Sequence, residues 1–285
     1  DIRNTWKKEN LELCLDPSKQ TPNLSISNSE NLLCFQRPFG YERVRVEIYS
    51  RRPVIIRISR FMLPKYLTEL EEHLRKSTEV ESQRVEGLAY SPGHQGRKAD
   101  GLWIEHDQPV VRHLFDRMQM LLRLNPAMGE EFLILKYDVL GHYAIHYDHL
   151  DPMPVEYDDG WFEFYGNRLA TALLLVKTAE RGGSTVFPRL NFTIQPDIGD
   201  LILWFNADSN DRRELNALHA ACPIQQGEKI AVSLWIRGNY QNYLQCAITH
   251  AGYEPEHIIR KTPAEYHEIP QKMRMRPRIP QWIFD

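Results

Sequence analysis

The sequence has no apolar run long enough to cross a bilayer as a helix, which leaves out a transmembrane span. It has no excess of positive charge either. Against 38 acidic residues stand 35 lysines and arginines, a net charge of -3, so nucleic acid is not a favoured partner. The opening "DIRNTWKKEN" lacks the charged-then-apolar pattern of a signal peptide, leaving a cytosolic chain or one whose targeting segment has been removed. Cysteine is scarce. The four fall into two separated pairs, Cys14 with Cys34 and Cys222 with Cys246, which suits either two disulfides closing short loops or four free thiols. There is no internal repeat.

What is present suffices for a large core. A chain of 285 residues, 42% hydrophobic, fits one large domain or one domain with an appended arm. Residues 1–40 are polar and loop-rich, and "SKQTPNLSISNSEN" reads as irregular. "RPVIIRIS" reads as a strand, and "MLPKYLTELEEHLRKS" as a helix with Leu67, Leu70 and Leu74 on one face. A second helix is expected in "DQPVVRHLFDRMQMLLRL", with Asp107 as its N-cap. The stretch between them, "EGLAYSPGHQGRKADG", reads as a mobile loop. From residue 131 eight short β-rich runs follow, several separated by turn signals such as "ERGG", "PDIGD" and "QQGEK". That order suits a mainly β protein with flanking α: a double-stranded β-helix, or jelly roll, with the N-terminal helices supporting one sheet. Two sequons, Asn23-Leu24-Ser25 and Asn191-Phe192-Thr193, would suit a secreted glycoprotein.

Chemistry concentrates in "HYAIHYDHL", residues 142–150. Side chains alternate along a strand, so His146 and Asp148 share a face, while His142 lies roughly 13 Å back along it. A His-x-Asp pair offers an imidazole and a carboxylate, and a metal needs a third ligand from elsewhere. Late in the chain His219 and His250 are available. Two histidines and a carboxylate would leave three coordination positions open, the arrangement of non-haem Fe(II) oxygenases. The same motif is also what polar residues on a surface strand look like. Lys229 sits in the apolar run Ile230, Val232, Leu234: it either snorkels outward or points inward and needs an anion. Thr185 and Tyr137 are hydroxyl donors for such an anion, or core-lining strand residues.

Four stretches taken together, "YDVLGHYAIHYD", "GNRLATALLLVKTAERGGSTVFP", "GDLILWFN" and "HAACPIQQGEKIAVSLWIR", resemble the catalytic domain of collagen prolyl 4-hydroxylase α subunits, a family of Fe(II)- and 2-oxoglutarate-dependent dioxygenases. The resemblance is strongest over about 131–237. It implies that His146, Asp148 and His219 bind iron and that Lys229 pairs with the distal carboxylate of 2-oxoglutarate, helped by Thr185 and Tyr137. It implies that Tyr143 and Trp235 line the active site and that Arg168 contacts the peptide. Cys14 with Cys34, and Cys222 with Cys246, match the family's two disulfides, which implies the endoplasmic-reticulum lumen. The chain is expected to divide into an N-terminal disulfide-containing extension (1–52), a helical support region of the catalytic domain (53–130), the β-helix dioxygenase core (131–246) and a C-terminal arm rich in proline and charge (247–285).

The implied reaction consumes dioxygen and 2-oxoglutarate, releases succinate and carbon dioxide, and converts peptidyl proline to 4-hydroxyproline, with ascorbate sustaining the iron. The implied substrate is a collagen-like or other proline-rich chain, and protein disulfide isomerase is the implied β-subunit partner. The stretches 87–101 and "DPMPVEYDDGWFEFYGN" are the expected covers of the site. One departure bears on specificity. Where the family has a histidine two residues after its tryptophan, this chain has Arg237, which cannot act as an imidazole acceptor. The ending "WIFD" carries no lumenal retention signal. Alternatives are the same chemistry on another secreted peptide or a lysyl side chain, a catalytically silent subunit that binds proline-rich chains, and a zinc hydrolase using the same triad.

Overall fold

The computed structural model describes residues 8–15, 34–83, 96–151, 160–241 and 252–261. A first helix, α1 (Lys8–Leu15), precedes three strands, β1 (Cys34–Phe39), β2 (Glu42–Arg51) and β3 (Val54–Ser59). Helix α2 (Pro64–Lys76) is followed by β4 (Glu81–Gln83) and β5 (Arg97–Ile104), then by helix α3 (Pro109–Leu121). The remaining strands are β6 (Phe132–Tyr137), β7 (His142–His146), β8 (Arg168–Lys177), β9 (Arg181–Gly182), β10 (Thr185–Phe187), β11 (Phe192–Ile194), β12 (Leu201–Phe205), β13 (His219–Ala221), β14 (Ile224–Gln226) and β15 (Lys229–Arg237). Two short helices, α4 (Trp161–Tyr165) and α5 (Pro255–Ile258), lie between β7 and β8 and near the end.

The strands build two antiparallel layers joined at one corner, as expected for the jelly roll. The larger runs β1-β2-β3-β12-β8-β15-β6-β5, with β4 on the outer side of β5; the smaller runs β7-β13-β10-β11. Strand β5 belongs to both. Its first residues, Arg97 and Lys98, pair with Tyr143 and His142 of β7, and Asp100–Ile104 pair with β6. Much of this stretch falls in what the sequence presents as a loop. The glycines and charges that suggest a loop are overruled by a continuous register with β6, which satisfies the backbone along five residues.

Period-two alternation decides which face each residue serves. In β15, Ile230, Val232, Leu234 and Ile236 pack under the helices, and Lys229, Ser233 and Trp235 face the other way, toward the smaller layer. In β12, Leu201, Leu203 and Phe205 meet the helical layer while Ile202 and Trp204 join the inner cluster, so the whole strand is buried. The helices contribute Leu67, Leu70 and Leu74 from α2 and Val111, Leu114 and Met118 from α3, at the three-to-four spacing that makes one buried stripe. Helix α3 begins at Pro109, with Gln108 rather than Asp107 in the cap position and no side-chain cap. Proline at the first helical position needs no hydrogen-bonded N–H, so the start is fixed without one.

The described part of the C-terminal stretch docks on the core. Tyr253, Ile258 and Ile259 are buried, and Arg51 donates to Glu256 at 2.7 Å. Residue 52, where the sequence division places a boundary, lies in the turn between β2 and β3, both in the larger sheet.

The disulfide pairing differs from the one the resemblance implies. Cys14 is bonded to Cys222, with Cα atoms 5.7 Å apart; Cys34 is exposed and free, and Cys246 lies outside the described residues. Helix α1 buries Leu13 and Cys14 against Val186, Ala220 and Cys222 of the smaller layer. Cys34 opens β1 at the far edge of the larger one. Docking of an amphipathic turn, not nearness in sequence, sets the partner. Among the described residues no helix is long and apolar enough to cross a membrane.

Candidate metal centre

His146 closes β7 and His219 opens β13, and the two stand opposite each other in the antiparallel register. Asp148 follows two residues after β7 ends, in a turn that carries its carboxylate back between them. One ligand atom from each of the three lies within 4.8 Å of the others. Asp148 Oδ1 is 3.4 Å from His146 Nε2, and Oδ2 is 3.4 Å from His219 Nε2. The other ring nitrogens are committed: His146 Nδ1 lies 2.7 Å from the Ala144 carbonyl and His219 Nδ1 2.8 Å from that of Ala217. A carbonyl only accepts, so each Nδ1 carries the hydrogen and each Nε2 lone pair faces the shared space.

The electrostatics suit a cation. Burial, with His219 beside it, takes the His146 pKa down to about 4, so the imidazole is neutral at neutral pH, as a ligand must be. Burial works against a charge on Asp148, but His219 and His146 beside it outweigh that and hold the carboxyl well below the usual range. Asp148 is oriented from behind: Thr171 Oγ1 donates to Oδ2 at 2.6 Å, and Asn206 Nδ2 donates to that hydroxyl oxygen at 2.8 Å. Replacing Thr171 with valine keeps the shape and removes the bond. Iron affinity of Thr171→Val should fall about 10–100-fold, measured by competition with a chelator. Unchanged affinity would remove Thr171 from the site.

The other two histidines of the 142–150 stretch stand apart from this cluster. His142 is buried, with Nδ1 2.9 Å from the Leu140 carbonyl. His149 turns toward Asp211 and Asn167. His250, the alternative third ligand, lies outside the described residues.

A cavity opens beside the triad, lined by Tyr137, Tyr143, Thr185, Trp204 and Trp235 among others. Tyr143 stacks on His146, ring centroids 3.6 Å apart. Lys229 is 3% exposed, and its Nζ donates to the Gly183 carbonyl at 2.7 Å; among the described residues no carboxylate pairs with it. Burial alone lowers its pKa to about 8. Gly183 has φ +77, and a Cβ there would lie 2.7 Å from Ile224 Cδ1, so only glycine presents that carbonyl easily. Two residues on, the Thr185 hydroxyl is buried with no hydrogen-bond partner among the described residues, as are two nitrogens of Arg97 at the corner between the sheets. Buried donors without acceptors beside a metal-competent triad describe a site built for an anion.

The sequence from 132 to 237 matches the model of the 2OG-Fe(II) oxygenase superfamily. Those residues form a 2OG-Fe(II) oxygenase domain. Fe(II) and 2-oxoglutarate are the groups such a domain takes, and the residues present fit both: two imidazoles and a carboxylate for the metal, a buried ammonium for a carboxylate. Among curated relatives, the chain is similar to prolyl 4-hydroxylase subunit alpha-2 of Caenorhabditis elegans, 27% identical over 207 residues, covering 70% of this chain and 37% of the relative. It is 34% identical over 146 residues to prolyl 4-hydroxylase subunit alpha-2 of Gallus gallus, covering 50% of this chain and 27% of the relative. The chain therefore spans about a third of the length of these relatives. A viral collagen prolyl hydroxylase from Paramecium bursaria Chlorella virus-1, solved with 2-oxoglutarate, superposes with a TM-score of 0.46 at 24% identity, covering 65% of this chain and 96% of that one.

At the mouth of the oxygenase site stands a cluster that the sequence reading reaches only in part. Arg168 grips Glu130 with two bonds, 2.6 and 2.7 Å, and its guanidinium lies 4.0 Å from the Trp235 ring centroid. Arg237 reaches the same carboxylate at 2.8 Å and donates to the Gly166 carbonyl at 2.8 Å. Glu130, Arg97, Thr171 and Asn206 are absent from the sequence-based set. Thr171 leaves one trace, a lone hydroxyl inside the apolar "LATALLLV". The other three leave none. Asn191, of the second sequon, is exposed; Asn23 lies outside the described residues.

Proposed function

We propose that the protein is a peptidyl-proline 4-hydroxylase acting on collagen-like or other proline-rich chains, with 2-oxoglutarate converted to succinate. The observation that carries this reading is the buried ammonium of Lys229, which has no carboxylate partner among the described residues, in the same domain as the buried His146–Asp148–His219 triad. In it, those three residues hold Fe(II) on one face. Lys229 takes the distal carboxylate of 2-oxoglutarate, and Thr185 and Tyr137 supply hydroxyl donors. Iron and 2-oxoglutarate, when bound, supply the oxidising power toward a C–H bond, with dioxygen as oxidant and ascorbate keeping the metal reduced.

The chain's own residues bind and orient. Tyr143 holds the His146 ring by stacking, which fixes the ligand's plane. Arg97 and Trp235 offer buried N–H groups without partners, suited to the carbonyls of an extended peptide that has no internal hydrogen bonds to satisfy them. Arg168, held by Glu130, presents a flat guanidinium-on-indole wall against which a proline ring packs. Arg237 enters this reading through Glu130, the carboxylate it shares with Arg168. The similarity to prolyl 4-hydroxylase alpha subunits supports proline as the target. A lumenal setting is supported by the Cys14–Cys222 disulfide, and protein disulfide isomerase is the partner we assign by resemblance.

The test is incubation with Fe(II), ascorbate, 2-oxoglutarate and Pro-Pro-Gly repeat peptides, following succinate and the peptide's gain of one oxygen together. Both products are expected, and both should vanish in His146→Ala. Succinate without peptide oxidation would reject proline-rich chains and leave an oxygenase of another target. Arg237, where the resembling family has histidine, favours including lysyl and non-collagen proline-rich peptides in the panel.

A further inference from the structure

Strand β5 carries Arg97, Ala99, Gly101 and Trp103 on one face, by simple alternation. Arg97 lines the cavity, and Trp103 lies 5.9 Å, centroid to centroid, from Trp235, which lines it too. Trp103 is nevertheless 40% exposed. The reason is positional. Strand β4 pairs with β5 only from Ala99 to Gly101, so Trp103 projects two residues past its cover. Indole thus leads to indole outward: buried Trp235, with Arg168 stacked on it, then Trp103 at the rim.

We propose that Trp103 is an outer binding subsite for the residues of the proline-rich chain that flank the reacting proline. The inference rests on the proposed prolyl hydroxylation and adds to it a length requirement. An exposed indole continuous with a buried one offers an apolar platform that leads out of the cavity, the kind of aromatic surface on which polyproline II chains dock. Such a chain advances about 3.1 Å per residue, so the 5.9 Å between the two indoles spans about two residues. A short peptide fills the cavity and stops at Trp235; a longer one reaches Trp103 as well.

The experiment compares wild type, Trp103→Ala and Trp103→Phe on capped peptides of one and of ten Pro-Pro-Gly repeats, with KM and kcat measured for each. In Trp103→Ala, KM for the long peptide should rise about fivefold, the scale of one aromatic contact. KM for the short peptide and kcat for both should stay as in wild type. Trp103→Phe should recover most of the loss. Equal rises for both lengths would make Trp103 a packing residue and overturn the proposal, as would no change for either. Wild type hydroxylating neither peptide would remove the underlying reading and this inference with it. Wild type hydroxylating both with equal KM would remove only the subsite.

Discussion

Asp148→Asn is expected to lose iron and turnover while keeping its fold. The side chain is 3% exposed and flanked by two imidazole nitrogens at 3.4 Å each, the setting of a metal ligand. The amide is of the same size, and its oxygen still accepts the hydrogen bond from Thr171. What disappears is the anion that a divalent metal needs beside two imidazoles. Loss of an outer partner costs 10–100-fold in metal affinity, so loss of the ligand itself should exceed about a hundredfold. Metal analysis of the purified variant, succinate formation and a thermal melt check this together. Iron content and turnover close to wild type would place the metal elsewhere; a collapsed melt would make Asp148 a structural residue.

Lys229→Met should stabilise the protein in the absence of 2-oxoglutarate and abolish its tight binding. The ammonium is buried with a single carbonyl acceptor, and burial holds its pKa near about 8 against 10.5 for the free side chain. That displacement corresponds to roughly 3 kcal/mol of destabilisation. The sign follows from protons bound. Below pH 8 folded and unfolded states are both protonated and the penalty is present in full. Between pH 8 and 10.5 the unfolded chain holds a proton that the folded one has released, so stability rises with pH and the penalty fades. Methionine, of similar length and apolar, removes both the penalty and this slope. Binding moves the other way. Truncating one member of a buried charge pair costs about 2–5 kcal/mol, at least roughly thirtyfold in 2-oxoglutarate affinity. Melts across pH 7–10.5 and anaerobic calorimetry with Fe(II) and 2-oxoglutarate measure both. A variant that melts lower, or binds 2-oxoglutarate as wild type does, would contradict the assignment of Lys229.

Much of the site is legible along the chain because strand periodicity is a local property. The interval from His146 to Asp148 puts two ligands on one side whether β7 runs on or, as it does, stops at His146. In β15 the alternation of Lys229 with Ile230, Val232 and Leu234 leaves two orientations, and only the helices packed on the aliphatic side select the inward one. His219 and His250 are equivalent in the sequence; the register of β13 against β7 brings His219 to His146. Arg97 looks like a loop residue because its strand is defined by pairing with β7 and β6, more than thirty residues away.

The sequence by itself determined the class of fold, the histidine–carboxylate pair and the lysine in its apolar strand, because burial alternation and spacing act within a few residues. Tertiary structure alone decided the rest. Which cysteine meets Cys14, how Thr171 and Asn206 steady Asp148, and how Arg168 and Arg237 share Glu130 depend on contacts between elements distant in sequence. Side chains so separated meet only when the sheets close and bury them together, and no local pattern encodes that closure.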